Sequence, residues 1–521
     1  MPSLKQLTLL WPKLLNTGLC LALALMAAPL RAAPAAADVV ITDCASSQGL
    51  SDALNGPSGR ISFSCGLTPV SIFLIQAGGF NVLSGSAFTI DGGNLVTLSG
   101  GDANRLFWVQ SGAALTLTNI TLSHGNAASG TGLDLQGGAI LNDGGALALN
   151  NAIVRDSQST SSAGAIENAS GTTVLIDSLI ENNQSDTGGG IDSLGTLMLS
   201  NTIVRSNHAL TDTGGGLNIS GTAVINNSLI VGNTAEIDRG GGIFNNGTAT
   251  LTLTNSSLRD NSAIAGGGIY NDGMLALSSG TLSGNSASVG GGILNSGVAT
   301  LTATTLSGNL ARNYGGGLFE SVGGLAALTN VTLSGNSSRG DGGGIYNRAT
   351  VSVYNATIVF NQADSLNEAF GAGGSVYNYT GATFTLRNSL VAWNRQGNAM
   401  NDCAGTLGSY GRNLVSTAVD CNLANGTGGL WSILSPLASI GSLQNNGGPN
   451  LTHMPRLDSQ MINGGDPAAG CLGPGGVLLL FDQRGQPRTD NASFDCDIGS
   501  VERQPNDSDI VPQMYLPLML R

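Results

Sequence analysis

Between residues 119 and 394 short apolar runs alternate with glycine and asparagine. Runs such as Leu251-Thr252-Leu253-Thr254 change from apolar to polar at every step. Period-two alternation between Gly/Asn turns predicts short half-buried strands. The runs recur at a fixed interval. Gly266-Gly267-Gly268-Ile269-Tyr270-Asn271 returns as Gly240-Gly241-Gly242-Ile243-Phe244-Asn245 and as Gly342-Gly343-Gly344-Ile345-Tyr346-Asn347. Weaker copies begin at Gly137, Ala163, Gly188, Gly214, Gly290, Gly315 and Gly373, so the interval is 24–27 residues, with a last one of 31. Each copy is followed by an aliphatic residue, two variable ones and Asn, as in Leu282-Ser283-Gly284-Asn285 and Leu306-Ser307-Gly308-Asn309. A period near 25 residues means a solenoid. Units this rich in Gly, Asn, Ser and Thr exclude helical repeats and have room for three short strands and three turns. That is one coil of a parallel β-helix, with coils stacked about 4.8 Å apart.

Stacking gives each motif residue a physical task. Ile269, Leu275, Leu277 and Leu282 should point inward, and the glycines supply turns with φ > 0. Asn142, Asn168, Asn245, Asn271, Asn295, Asn347 and Asn378 should form one hydrogen-bonded ladder, and Asn285, Asn309 and Asn336 another. The residue after the motif Ile or Leu should face outward. Up the coils it reads Phe244, Tyr270, Leu294, Phe319, Tyr346 and Tyr377, aromatic but for Leu294, in a chain with 5% aromatics. Left open, such a ladder would stack on sugar rings or on a protein partner. The structural alternative is a column that stacks on itself under a covering loop.

The N-terminus reads as an address. Lys5 and Lys13 precede an apolar stretch, Leu19–Met26, and small residues lead to Ala35-Ala36-Ala37, so residues 1–37 are expected to be a secretory signal peptide. The stretch is too short to span a bilayer. Removing Lys5, Lys13 and Arg31 with the leader leaves 17 Arg against 33 acids, a net charge of −16 and no lysine. Such a chain is repelled by phosphate and is not expected to bind nucleic acid, and Lys-dependent chemistry is excluded. Export places Cys44, Cys65, Cys403, Cys421, Cys471 and Cys496 in an oxidising compartment, where an even number suggests disulfides. Six cysteines allow about 15 connectivities. Nearest-neighbour pairing, 44 with 65, 403 with 421 and 471 with 496, is the working expectation.

Enzymatic chemistry has little support in the sequence. The acids of the repeats (Glu167, Asp192, Asp272, Glu320) read as isolated, whereas glycoside hydrolysis needs two carboxylates flanking the bond. His124, His208 and His453 show no metal spacing and no nucleophile context. No catalytic, cofactor-binding or metal-ligating residue is therefore assigned. One charge cluster stands out near the C-terminus: Asp482, Arg484, Arg488, Asp495, Asp497 and Glu502. A salt-bridged network capping the last coil is the expectation, with a calcium site as its alternative.

Two resemblances add to this reading. Gly137-Gly138-Ala139-Ile140 and the aliphatic-x-x-Asn motif resemble the short repeats of polymorphic outer membrane proteins across residues 119–394. The resemblance implies a surface-exposed β-helix. Residues beyond the repeats lack the run of ~10-residue alternating strands that those proteins use for a membrane barrel. Next, Asn445-Asn446-Gly447-Gly448-Pro449, Ile462-Asn463-Gly464-Gly465-Asp466, Asp482-Gln483-Arg484-Gly485 and Cys496-Asp497-Ile498-Gly499 resemble, in this order, the choice-of-anchor Q domain. That implies location at or outside a bacterial surface, not a reaction.

The expected architecture is all-β: a right-handed parallel β-helix of about 12 coils, the hand following the general crossover preference. It spans residues 38–395 including an N-terminal cap. Residues 396–502 form a small C-terminal unit, and 503–521 a linker with a short apolar tail. The expected function is a non-catalytic, adhesin-like, secreted or surface protein that binds a polysaccharide or a surface protein along its flank, and is a monomer with no transmembrane segment after cleavage. The alternative is a pectin-lyase-like polysaccharide lyase or glycoside hydrolase.

Overall fold

The computed structural model describes residues 38–74, 78–127, 135–368, 370–425, 432–434, 439–466, 470–488 and 496–507. The expected signal peptide, Asp495 and the apolar tail lie outside them. The chain winds into a right-handed parallel β-helix of short strands and turns, with almost no helix among the described residues. A single 15-stranded parallel sheet runs from Val70–Phe73 to Ser432–Leu434, so the solenoid has about 14 turns rather than 12. Two corrections explain the difference. The stretch before Gln136, irregular to the eye, already makes coils in register, as Thr97↔Thr121 and Ile90↔Leu117 pair in parallel. Stacking also continues past residue 395: Val376 pairs with Cys403, and Leu390 and Val391 with Leu414 and Val415.

A typical coil has four strands, one more than expected. Ile269–Asn271 carries the Gly-Gly-Gly-Ile-x-Asn motif, Met274–Ser278 is the longest, and Thr281–Ser283 belongs to the 15-stranded sheet. A short side strand, Ser286–Val289, closes the coil. Ile269, Leu275, Leu277 and Leu282 are buried in one continuous core, as their spacing predicts. The glycine triplet is sterically required. Gly266 sits at φ +64°, and a Cβ on Gly267 would stand 2.4 Å from the Ser286 carbonyl oxygen at the end of the same coil. At the N-terminal end the helix Gln48–Leu54 buries Leu50 and Leu54 in that core.

Both asparagine ladders exist, and they differ. The first runs Asn142 to Asn168, then Asn245, Asn271 and Asn295, with side-chain bonds of 2.6–3.0 Å. It is interrupted by Ser193 and Ile219 and then by Glu320, which occupies an asparagine position. The second is unbroken through Asn183, Asn207, Asn233, Asn261, Asn285, Asn309, Asn336, Asn361 and Asn394. It ends on Asp402, whose Oδ1 accepts from Asn394 at 2.9 Å. An acceptor-only side chain suits the end of a ladder in which every rung donates forward.

Glu320 is the exception with a consequence. Its Oε1 accepts from Asn295 at 2.8 Å, while its buried Oε2 has no hydrogen-bond partner among the described residues. Burial holds its carboxyl well above the usual range. The neutral form is therefore the one that fits. Its contribution to stability is full below the unfolded value of about 4.3 and is lost as pH rises through the folded value. Glu320→Gln should melt with the wild type near pH 4 and a few degrees above it at pH 8. A difference that does not grow with pH would refute this.

The three disulfides join nearest neighbours, Cys44–Cys65, Cys403–Cys421 and Cys471–Cys496, with Cα atoms 5.8, 5.4 and 5.9 Å apart. The C-terminal segment, described at residues 439–466, 470–488 and 496–507, does not cap the last coil there. Those residues run back along the outer face of the 15-stranded sheet. Gln483 Nε2 donates to Thr305 Oγ1 at 2.8 Å, Thr332 Oγ1 to Gln483 Oε1 at 2.6 Å, and Asn355 Nδ2 to the Leu472 carbonyl at 3.1 Å. Asn450 reaches the Gly280 carbonyl at 3.2 Å, across 170 residues of sequence. Met461 and Ile498 pack on Val359, Leu390, Ala392 and Leu414, making a second small core outside the helix.

Candidate functional site

The column after the motif Ile is in register as expected: Phe244↔Tyr270↔Leu294↔Phe319↔Tyr346↔Tyr377. It is not an open ladder. Phe244, Tyr270, Leu294, Phe319 and Tyr346 are only 6–9% exposed and form one cluster with Ala265 and Val289, with Tyr377 partly buried beside them. The rings stack on one another: Phe319–Tyr346 and Tyr346–Tyr377 have centroids 5.1 Å apart and planes within 11°. Tyr314 and the Arg239 guanidinium, 4.9 Å and 5.0 Å from ring centroids, cover part of the rest. Burial raises the phenols of Tyr270, Tyr346 and Tyr377, that of Tyr346 to about 12, and keeps them neutral. The side strands Ser286–Val289 and Leu310–Tyr314 fold over this face, which single-coil alternation could not reveal.

Toward the N-terminus the same column changes character. Phe244 is preceded in register by Asn218, Asp192 and Glu167. The acids that read as isolated are thus neighbours on adjacent coils, and the signal was their separation of one repeat period. Glu167 is 1% and Asp192 4% exposed. Glu167 accepts from Ser162 Oγ at 2.7 Å, and Asp192 from Asn218 Nδ2 at 3.0 Å. Burial raises both carboxyls, and the charge of Asp192 raises Glu167 further. Glu167, raised to about 9 by burial and by the neighbouring Asp192, therefore holds its proton at neutral pH. Such pairs do acid–base work where substrate can reach them; here side chains cover them.

The charge cluster is a closed network. Arg484 Nε meets Asp482 Oδ2 at 2.9 Å, and Arg488 NH1 meets Glu502 Oε2 at 3.3 Å. Asp497 accepts the backbone N–H of Asn463 and of Arg503, and Asp482 accepts those of Arg484 and Gln486. The carboxylates that a calcium site would need are thus already serving backbone donors and guanidinium groups. Among the histidines, His453 is buried. Its Nδ1 lies 2.8 Å from the Gly441 carbonyl and its Nε2 2.9 Å from Ser334 Oγ. Burial lowers it to about 4, so the ring is neutral and its tautomer is set by the carbonyl.

A second aromatic pair lies elsewhere, at the corner after the 15-stranded sheet: Phe360 is exposed, and Trp393 is half-buried against the small core of Met461 and Ile498. Phe360 and Trp393 occupy the position before the ladder asparagine, where the preceding coils have Gly284, Gly308 and Gly335. All five are left-handed, with φ of 58° and 55° at the two aromatics. Bulky side chains pay about 1–2 kcal/mol for that conformation, and such strain concentrates at functional sites. The rings stack with centroids 5.5 Å apart and planes 14° from parallel. Phe360 is 47% exposed, and its inner side rests against His453, ring centroids 5.6 Å apart. The pair opens on a cleft of about 340 Å³ lined by Phe360, Trp393, Arg395, Met400, Ser439, Ile440 and Arg456. Sequence reasoning searched for aromatics after the motif Ile and missed these. The signal was an aromatic at a glycine position of the second motif.

Fold and site together define a disulfide-bonded parallel β-helix with a flank-docked C-terminal segment and a stacked Phe360–Trp393 pair at a cleft. No helix among the described residues is long and apolar enough to cross a membrane. No protein-family model matches the chain, and no curated protein matches it. Among solved structures it is similar to a pectate lyase, Pel9A, at 14% identity, covering 91% of this chain and 98% of that one with a TM-score of 0.33.

Proposed function

We propose that the protein is a non-catalytic, secreted or surface-located bacterial β-helix protein that binds glycan along its flank, with Phe360 and Trp393 as the contact platform. The observation that supports this reading is the stacked pair held in left-handed backbone at the mouth of a cleft. A sugar ring stacks on such a surface through its apolar face. The leader-like N-terminus, the three disulfides and the motif resemblances support a site of action outside the cell. The competing reading, a lyase or hydrolase, has one observation behind it, the Glu167–Asp192 pair, and its burial weighs against that role.

The test uses mature protein, residues 38–521, with a panel of plant, bacterial and animal polysaccharides. Bound protein and new reducing or unsaturated chain ends are measured in the same tubes. Retention without new ends is expected. Phe360→Gly should weaken retention at least tenfold, about 1.4 kcal/mol, without lowering the melting midpoint, because glycine suits the left-handed corner. New chain ends would replace this reading with the enzymatic one. Retention unchanged by Phe360→Gly would move the contact elsewhere on the flank.

A further inference from the structure

We infer that the cleft beside Phe360 and Trp393 takes a sugar unit bearing a carboxylate, that is, a uronic acid residue of an oligosaccharide. The inference rests on the glycan-binding reading above and adds the charge of the ligand. The chain is strongly acidic, with 33 Asp and Glu against 20 Lys and Arg. Most of its surface repels anions. Two arginines nevertheless line this one cleft, Arg395 and Arg456. Both are exposed, and neither has a carboxylate within 4.0 Å among the described residues; Arg259 and Arg312 share that lack, but only the cleft pair stands beside the stacked rings. Among the described residues the Arg395 guanidinium makes one hydrogen bond, from NH1 to the Asn398 carbonyl at 3.3 Å, which leaves most of its donors for a ligand.

The chemistry of the lining is specific. Guanidinium groups present a planar fork that matches a carboxylate, and the adjacent rings offer a stacking face. Met400 adds an adaptable apolar wall. Among the described residues that line the cleft the charged groups are the two arginines. A volume of about 340 Å³ is at the small end for ligand sites, suited to a short stretch of chain rather than a long groove.

The experiment measures binding of a glucuronate-containing tetrasaccharide and of the same tetrasaccharide with its carboxyls reduced to alcohols. Wild type should prefer the acidic form at least tenfold, with affinity falling as salt rises. Arg395→Gln with Arg456→Gln should erase the preference and leave binding of the reduced form unchanged. Equal affinity for both forms would overturn the inference while leaving the stacking platform intact. Binding of neither form, nor of any polysaccharide in the panel, would overturn both.

Discussion

Asn309→Ala should be among the most destabilising single substitutions in the solenoid, costing on the order of 3–4 kcal/mol. Asn309 sits in the middle of the unbroken ladder and is fully buried. Its Oδ1 accepts the backbone N–H and the side-chain amide of Asn285, at 3.1 and 3.0 Å. Its Nδ2 donates to the Leu282 carbonyl at 3.0 Å and to Asn336 Oδ1 at 2.8 Å. Alanine removes all four bonds at once and leaves their partners in a site without solvent. The damage should be local, because each coil contacts only its neighbours. Amide hydrogen exchange should rise mainly between residues 280 and 340. Asn313, exposed on the same coil, serves as the control and should change stability by less than about 0.5 kcal/mol. A mid-ladder loss no larger than that control would mean the ladder is decorative.

Arg488→Met is expected to release the C-terminal segment from the solenoid at a cost of about 3–5 kcal/mol. Arg488 is 0% exposed and its contacts reach both bodies. NH2 donates to Asn330 Oδ1 on the solenoid and to the Gly499 carbonyl on the segment, both at 2.7 Å. NH1 faces Glu502 at 3.3 Å. Methionine fills much of the volume but leaves the Glu502 carboxylate buried without its cation. Limited proteolysis should then cut between residues 439 and 507 while the coils stay resistant. Arg488→Met with Glu502→Gln should recover part of the loss, since it removes the orphaned charge. Coils and segment unfolding together, or a segment that stays protected, would refute this division of labour.

Much of this arrangement was legible from spacing alone. The inward positions of Ile269 and Leu282, the two ladders and the Asn309 environment follow from a period near 25 residues. The nearest-neighbour disulfides agree with the structure too, each closing a loop of about one coil or less. Extending the repeat count to residues 78–136 would have required tolerance of imperfect motifs, because those coils lack the Gly-Gly-Gly-Ile-x-Asn signature.

The sequence by itself determined the coil, its inward residues and its asparagine ladders. Those depend on contacts between identical positions one period apart, and periodicity is written in the chain. Tertiary structure decided what covers each outer face. The side strands bury the Phe244–Tyr377 column, and the C-terminal segment buries Thr305, Thr332 and Thr357. It also decided that Glu167 and Asp192 lie together under cover while Phe360, stacked on the half-buried Trp393, faces solvent at a cleft. Docking of this kind joins residues up to 179 positions apart through shape and individual hydrogen bonds, which leave no period in the sequence to read.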